Sequence, residues 1–156
     1  MARRRRAEKR TVVPDPRYNS ELVARIINCV MRRGKKSVAE QIVYGALDEV
    51  KEKSGSDPLE VLVRSIDNMK PKVEVKARRV GGATYQVPVE MGRERQMALT
   101  LRWLVQFSSA RKGVAMGKAM AMEILEGFKN QGNVVKKRDD THKMAQANKA
   151  FAHYAW

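Results

Sequence analysis

The stretch at residues 72–91, KVEVKARRVGGATYQVPVEM, is the one convincing β-signal in this sequence. Two runs of alternating apolar and polar residues flank the pair Gly81-Gly82, and glycine adopts a positive φ without a Cβ clash. The stretch therefore predicts a β-hairpin. Because a lone two-stranded ribbon is marginally stable in water, we expect helices to brace it or a ligand to hold it.

The register of this hairpin depends on the length of its loop. A loop of the two glycines alone puts the apolar residues of one strand on the face opposite those of the other. A three-residue loop, Val80-Gly81-Gly82, pairs Ala77 with Tyr85 and gathers all the apolar residues on one face. We expect the three-residue loop, because a half-buried ribbon needs one apolar face.

The other face of the predicted ribbon is cationic, with Lys72, Lys76 and Arg78 along it and Arg79 at the tip. A cationic ribbon with a glycine tip fits a nucleic-acid groove. An ordinary surface hairpin with solvated charges is the alternative interpretation, since runs of charge are common on protein surfaces.

The net charge of +15 on 156 residues indicates a polyanionic partner, which is RNA, DNA or an anionic membrane surface. The charge is uneven along the chain. Residues 1–36 hold 12 Lys/Arg against 3 acids, whereas residues 37–69 hold 3 against 7. We therefore expect oriented docking, with segment 37–69 turned away from the polyanion. No segment has the basic amphipathic pattern with aromatic anchors that a membrane surface requires.

Helical periodicity predicts six helices around the hairpin, so the expected fold is mainly α and bundle-like, with the hairpin protruding between the third and fourth helices. The expected helix ranges are about 20–31, 37–53, 57–69, 93–110, 114–129 and, last, from 139 or 140 to beyond 151. Residues 1–18 are expected to be a flexible basic arm that orders on RNA, although a solvated tail or a localisation signal has the same composition. Residues 19–156 then form a single helical domain that carries the hairpin.

Some helix ends and helix faces are specified by short patterns. Ser37 with Glu40 is typical of a capping box, and Asp57-Pro58 of a cap followed by a first-turn proline. The fourth helix is apolar nearly all round, which predicts that it lies in the middle of the domain. Its Trp103 is expected to be a core residue, with base stacking as the alternative.

The C-terminal part of the chain predicts a mobile basic linker at residues 131–138. Asp139 or Asp140 is then the cap of the last helix, with Met144, Ala147, Phe151 and Ala152 on its inner side.

No catalytic or metal-binding constellation is present in the sequence. Cys29 is the single cysteine, so the chain has no internal disulfide and no paired thiol to bind zinc, and it suits a reducing compartment. We expect Cys29 to be a small core or boundary residue. The chain has two histidines, lacks a complete phosphate-binding loop, and shows no nucleophile beside a base. We therefore expect a binding protein that is not an enzyme and uses no cofactor and no metal.

Several stretches resemble one protein family. Arg78-Arg79-Val80-Gly81-Gly82-Ala83, followed by Tyr85-Gln86-Val87-Pro88, resembles the hairpin of the bacterial-type small-subunit ribosomal protein seven family. The resemblance extends over the chain to residues 1–8, 28–36, 70–71, 98–104, 134–137 and 147–154.

The resemblance implies a helical protein that is a structural constituent of the small ribosomal subunit. Such a protein binds the small-subunit ribosomal RNA first, nucleates assembly of the head domain, and lies by the exit tRNA site and the messenger channel beside the eleventh small-subunit protein. We expect it to be a monomer when free and to work on cytoplasmic ribosomes or inside an organelle. An architectural DNA-binding protein is the alternative, and an RNA-modifying enzyme is less consistent with the missing catalytic set.

The candidate contact residues are cations of the basic elements and the residues of the hairpin tip. For ribosomal RNA we predict contacts from Arg3, Arg4, Arg5, Arg6, Arg10, Arg32, Lys35, Lys36, Lys76, Arg78, Arg79, Lys136 and Lys137. For the surface that faces tRNA and messenger RNA we predict Arg79, Gly81, Gly82 and Lys143. Together these elements would grip several RNA segments by backbone and shape rather than by sequence.

Overall fold

A computed structural model describes Glu8 and residues 10–154 of the chain. In that part it is mainly helical, with a two-stranded antiparallel hairpin between the third and fourth helices, as predicted. The helices are α1 (Glu21–Val30), α2 (Lys36–Ser54), α3 (Pro58–Met69), α4 (Arg93–Ala110), α5 (Met116–Phe128) and α6 (Asn133–Ala147). The strands are β1 (Val73–Val80) and β2 (Ala83–Glu90), and a 3₁₀ helix covers Lys149–Tyr154.

Helix α5, not α4, lies at the centre of the helical body. It packs against α2, α3 and α4, and its buried residues include Met120 and Ile124. The prediction for α4 is wrong, because that helix buries only a stripe from Thr100 to Ser108 and leaves large side chains such as Trp103 partly exposed against the core. Met120 of α5 is fully buried in the core, and Met116 packs against the core.

Helix α5 reaches the centre because its backbone comes very close to that of α2. A Cβ atom added at Gly117 would lie 3.3 Å from the carbonyl oxygen of Ile42 and 3.9 Å from the amide nitrogen of Ala46. A larger side chain at residue 117 would push the two helices apart. This contact sets the spacing of the core.

One ionic cluster joins the ends of three helices. The guanidinium of Arg111, just after α4, donates to Oε1 of Glu123 at 2.9 and 2.6 Å and to Oε2 of Glu126 at 2.5 Å. Nδ2 of Asn133, the first residue of α6, also donates to Oε1 of Glu123 at 3.2 Å. Since Glu123 is fully buried, this carboxylate depends on Arg111 for its neutralisation.

One predicted helix cap is confirmed and another is wrong. Oδ1 of Asp57 accepts a hydrogen bond from the backbone N–H of Leu59 at 3.2 Å, and Pro58 opens α3. Helix α2, however, begins at Lys36 with Lys35 at its N-cap, so Ser37 lies inside the helix and makes no capping box. The reason is a tight turn just before α2, in which Arg33 and Gly34 have φ of 53° and 75°.

The predicted mobile linker at 131–138 is wrong, because α6 begins at Asn133. Val134 and Val135 lie in the first turn of α6 and are buried in the core. Asp139 and Asp140 lie in the middle of the helix and do not cap it. The basic composition of residues 131–138 led to the linker prediction, although two of these residues are buried.

The inner face of α6 also differs from the prediction. Thr141 and Ala145 are buried, whereas Met144 is 48% exposed and Ala147 is exposed.

The final residues of the predicted arm lie against α2. Oδ2 of the buried Asp15 accepts from the backbone N–H groups of Arg17 and Tyr18 at 3.1 and 3.0 Å, and its Oδ1 accepts from the hydroxyl of Tyr44 at 2.6 Å. The hydrogen bond to Asp15, with burial, raises the pKa of Tyr44 to about 12. Arg17 also pairs with Asp48 at 2.7 Å. The chain is thus anchored from Asp15 onwards, and the division at residue 18 stays a prediction.

We expect the substitution Arg111→Met to lower the free energy of unfolding by about 3 kcal/mol, because it leaves the buried Glu123 carboxylate without its cation. The double variant Arg111→Met/Glu123→Gln is expected to recover part of this loss, because no buried charge remains. Urea unfolding of the three proteins measures the difference. Equal losses in the single and double variants would contradict the assigned role of the cluster.

Candidate nucleic-acid interface

The hairpin turn consists of the two glycines alone. Val80 pairs with Ala83 and Ala77 with Gln86, while Gly81 and Gly82 have φ of 58° and 90°. The predicted three-residue loop is therefore wrong by one residue. Two successive positive φ angles match the right-handed twist of a tight hairpin, and this preference outweighs the gathering of all apolar residues on one face.

The consequence is that cations and apolar residues share a face of the ribbon. Lys76 is opposite Val87, and Arg78 is opposite Tyr85. Val87 is fully buried, so the ribbon still contributes to a packed surface. Glu74, on the same face, pairs with Lys76 at 3.3 Å and with Arg95 of α4 at 3.1 Å, which partly neutralises Lys76.

Helix α6 and the 3₁₀ helix brace the hairpin. The ring of Tyr85 lies 5.3 Å, centroid to centroid, from the rings of both Phe151 and Tyr154. At the base of the hairpin, the backbone N–H of Lys72 donates to Nε2 of His142 at 3.0 Å. The expectation that helices support the ribbon is confirmed, and the hairpin is held at two levels.

The hydrogen bond from Lys72 requires a neutral His142, since a protonated imidazole cannot accept. Burial lowers the pKa of His142, and the positive charges of Arg138 and Lys72 lower it further, against an opposing effect of Asp139. The neutral form that accepts the hydrogen bond is therefore favoured.

The turn between α1 and α2 presents Arg32, Lys35 and Lys36 to solvent. Lys36 lies 3.7 Å from Glu40 one turn further along α2, with its own side chain 63% exposed. The left-handed residues Arg33 and Gly34 close this turn tightly, so its cations project from a short rigid loop. Helix α6 adds the exposed Lys136, Lys137 and Lys143, which are carried on a regular helix instead of the expected linker.

The predicted contact residues fall into two groups of elements. The hairpin, which carries Arg79 and the glycine tip, contacts α6, which carries Lys143, and the 3₁₀ helix. The α1–α2 turn instead borders a groove with the segment that joins α4 to α5. Arg10 is exposed, and the predicted contacts Arg3, Arg4, Arg5 and Arg6 lie outside the described residues.

Some cations serve the fold, and sequence reasoning missed them. Arg138 donates to Oδ1 of Asp139 at 2.6 Å, to Oδ1 of Asn130 at 3.1 Å and to the carbonyl of Asn68, which ties α6 to the ends of α3 and α5. The available signal was its position four residues after the buried Val134, which places both on one helix face.

The structure offers little for other kinds of site. In the part of the chain that it describes, no three His, Cys, Asp or Glu residues lie close enough together to hold a metal ion, and no helix is both long and apolar enough to cross a bilayer. Cys29 is exposed and thus is not a core residue, although partial burial raises the pKa of its thiol.

Comparison with known proteins decides the family. Residues 2–149 match the family model described as Ribosomal protein S7p/S5e. Proteins called small ribosomal subunit protein uS7 align over the full length of both chains, with 57% identity in Acidithiobacillus ferrooxidans, 55% in Anaeromyxobacter sp. strain Fw109-5 and 54% in Sorangium cellulosum. The chain belongs to the ribosomal protein S7p/S5e family.

Membership of the S7p/S5e family confirms the resemblance that the hairpin residues indicated. The chain is a ribosomal protein of the small subunit, an RNA-binding component of a ribonucleoprotein that works in translation. Its partners are ribosomal RNA and other ribosomal proteins. Its relatives are named as ribosomal subunit proteins and not as enzymes.

The His142 contact predicts a pH dependence of stability. The folded state holds the pKa of His142 below its ordinary value, so the unfolded chain binds more protons below about pH 6.5 and stability falls as the pH drops through that range. We expect the free energy of unfolding to fall more steeply from pH 7 to pH 5 in the wild type than in His142→Gln, which does not titrate. Urea unfolding at several pH values measures this, with His153→Gln as the matched control. Parallel curves for the wild type and His142→Gln would contradict the assignment.

Proposed function

We propose that this protein is a primary binder of small-subunit ribosomal RNA and that it nucleates assembly of the head domain. The observation that carries the proposal is the presentation of exposed cations at two places on the fold: the α1–α2 turn, and the hairpin together with α6, which braces it. Cations fixed on separate elements grip several backbone segments at once, which favours a folded RNA over an isolated strand.

The proposed contact cations differ from the cations that hold the fold together. Arg32, Lys35 and Lys137 are exposed, whereas Arg111 and Arg138 are partly buried and bound to carboxylates. Exposed cations release counterions when they neutralise phosphates, so binding should weaken as salt rises. Segment 37–69, with 3 basic and 7 acidic residues, would face away from the RNA.

The hairpin tip and α6 are proposed to face the exit-site tRNA and the messenger channel, beside the eleventh small-subunit protein. Arg79, Gly81 and Gly82 are exposed at the tip, and Lys143 is exposed on the helix that braces the hairpin. Glycines without side chains let an RNA backbone approach the turn closely. The bracing by His142 and Tyr85 holds the tip in a defined position relative to α6.

The proposed role is structural and needs neither catalysis nor a cofactor. The protein would be a monomer when free and would act on cytoplasmic ribosomes. Its N-terminal cations, Arg3 to Arg6, would add further phosphate contacts.

The contribution of α6 is tested with Lys136→Ala/Lys137→Ala, and Lys51→Ala/Lys53→Ala on the acidic segment is the matched control. We expect the first variant to bind head-domain ribosomal RNA more weakly and to reduce the salt slope of log affinity by roughly one for each phosphate that it no longer neutralises. The control is expected to leave the slope unchanged. Affinities across a salt series, with duplex DNA as a competitor, measure both. Equal slopes for the two variants would count against α6 as an RNA-binding element.

The contribution of the hairpin is tested with Arg78→Ala/Arg79→Ala. We expect weaker binding to the same RNA and a smaller salt slope, because two cations near the tip are removed. Unchanged affinity and unchanged salt dependence would rule the hairpin out as an RNA-binding element.

A further inference from the structure

An apolar groove with a volume of about 370 Å³ opens between the α1–α2 turn and the segment that joins α4 to α5. Val38 and Ile42 of α2 line one side, and Val105 of α4 and Val114 lie across from them. Val38 is 48% exposed and Val114 is 36% exposed, so large apolar side chains face solvent here. Exposed apolar surface that is grouped in a concave site indicates a binding partner.

The charged residues that line this groove are Arg32, Lys35 and Arg111. Arg32 and Lys35 line it, and no Asp or Glu is among the described residues of its wall. Arg111 also borders it, but its guanidinium is bound to Glu123 and Glu126 and is thus already neutralised. The groove therefore complements a partner with an apolar part and a flanking negative charge.

We propose that this groove takes one unstacked base of the ribosomal RNA, with Arg32 and Lys35 on the phosphates that flank it. The inference rests on the proposed function, because it assumes that the α1–α2 turn faces the RNA. Unpaired nucleotides combine a flat, weakly hydrated base with two adjacent phosphates, and proteins recognise them by splaying out the base. Aliphatic side chains from opposite sides of the groove contact the two faces of the base.

A hydroxyl at the edge of the groove adds a polar contact. Ser109 lines the groove, and its hydroxyl donates to the carbonyl of Gln106 at 2.9 Å. With its proton engaged in this way, the oxygen accepts a hydrogen bond from an exocyclic amino group of the base.

The test uses Val38→Ser/Val114→Ser, which makes the two most exposed valines of the groove polar and keeps every cation. Val63→Ser is the matched control, because Val63 on α3 is 49% exposed and lies in the acidic segment. We expect the double variant to bind protein-free head-domain RNA about tenfold more weakly, with the salt slope unchanged. At the same time, chemical probing should show an unpaired base that the wild type protects and the double variant leaves reactive.

A second variant, Val38→Phe, serves as a check in case Val38→Ser/Val114→Ser weakens RNA binding only because it destabilises the fold. It keeps the surface apolar but fills the groove, so it is expected to expose the same base. If both groove variants bind RNA and protect its bases as Val63→Ser does, no base enters the groove and the inference is overturned. The groove would then be free to bind a segment of another protein, because such a partner does not affect binding to protein-free RNA.

A further pair of substitutions separates this outcome from failure of the proposed function. Arg32→Ala/Lys35→Ala is expected to lower the salt slope whether or not a base occupies the groove. If this variant lowers the slope while the groove variants match the control, only the groove inference fails. If it also leaves affinity and slope unchanged, the RNA-binding role of the turn fails as well.

Discussion

The close approach of α5 to α2 is the contact on which the rest of this structure depends. A side chain at position 117 would crowd the α2 backbone, because an added Cβ would lie 3.3 Å from the Ile42 carbonyl oxygen. Helix α5 is thereby held at the centre, and its Glu123 lies where Arg111 and Asn133 both reach it. That cluster fixes the start of α6, and α6 in turn supports the hairpin. The position of the hairpin is thus set by packing far from its tip.

The structure contains two kinds of cation, those that hold helices together and those that face solvent. Arg111 binds the buried Glu123 carboxylate, which would be left as an unpaired buried charge without it, and Arg138 joins α6 to the Asn68 carbonyl at the end of α3. Arg32 and Lys137 instead stand on rigid elements without being needed to hold them together. A net charge of +15 alone does not make this distinction. A rigid display of exposed cations suits recognition of a folded RNA by its shape.

Local patterns predicted much of the fold, and they failed where two local preferences competed or where burial was hidden. Asp57-Pro58 marked the start of α3 correctly, because a cap and a first-turn proline act within one turn. The hairpin was evident, but its register followed the glycine turn and not the apolar pattern. The start of α6 was missed because three basic residues directly follow Val134 and Val135. The groove beside Val38 joins residues distant in sequence, so no local pattern reveals it. The contact residues themselves stay predictions.

The most direct test of the central claim is chemical footprinting of deproteinised small-subunit RNA with and without the pure protein across a salt series. We expect saturable protection that is confined to the head domain and weakens as salt rises. Diffuse protection that never saturates would contradict it, because it would mean that the charge binds any polyanion and that the arrangement of the basic elements selects no RNA.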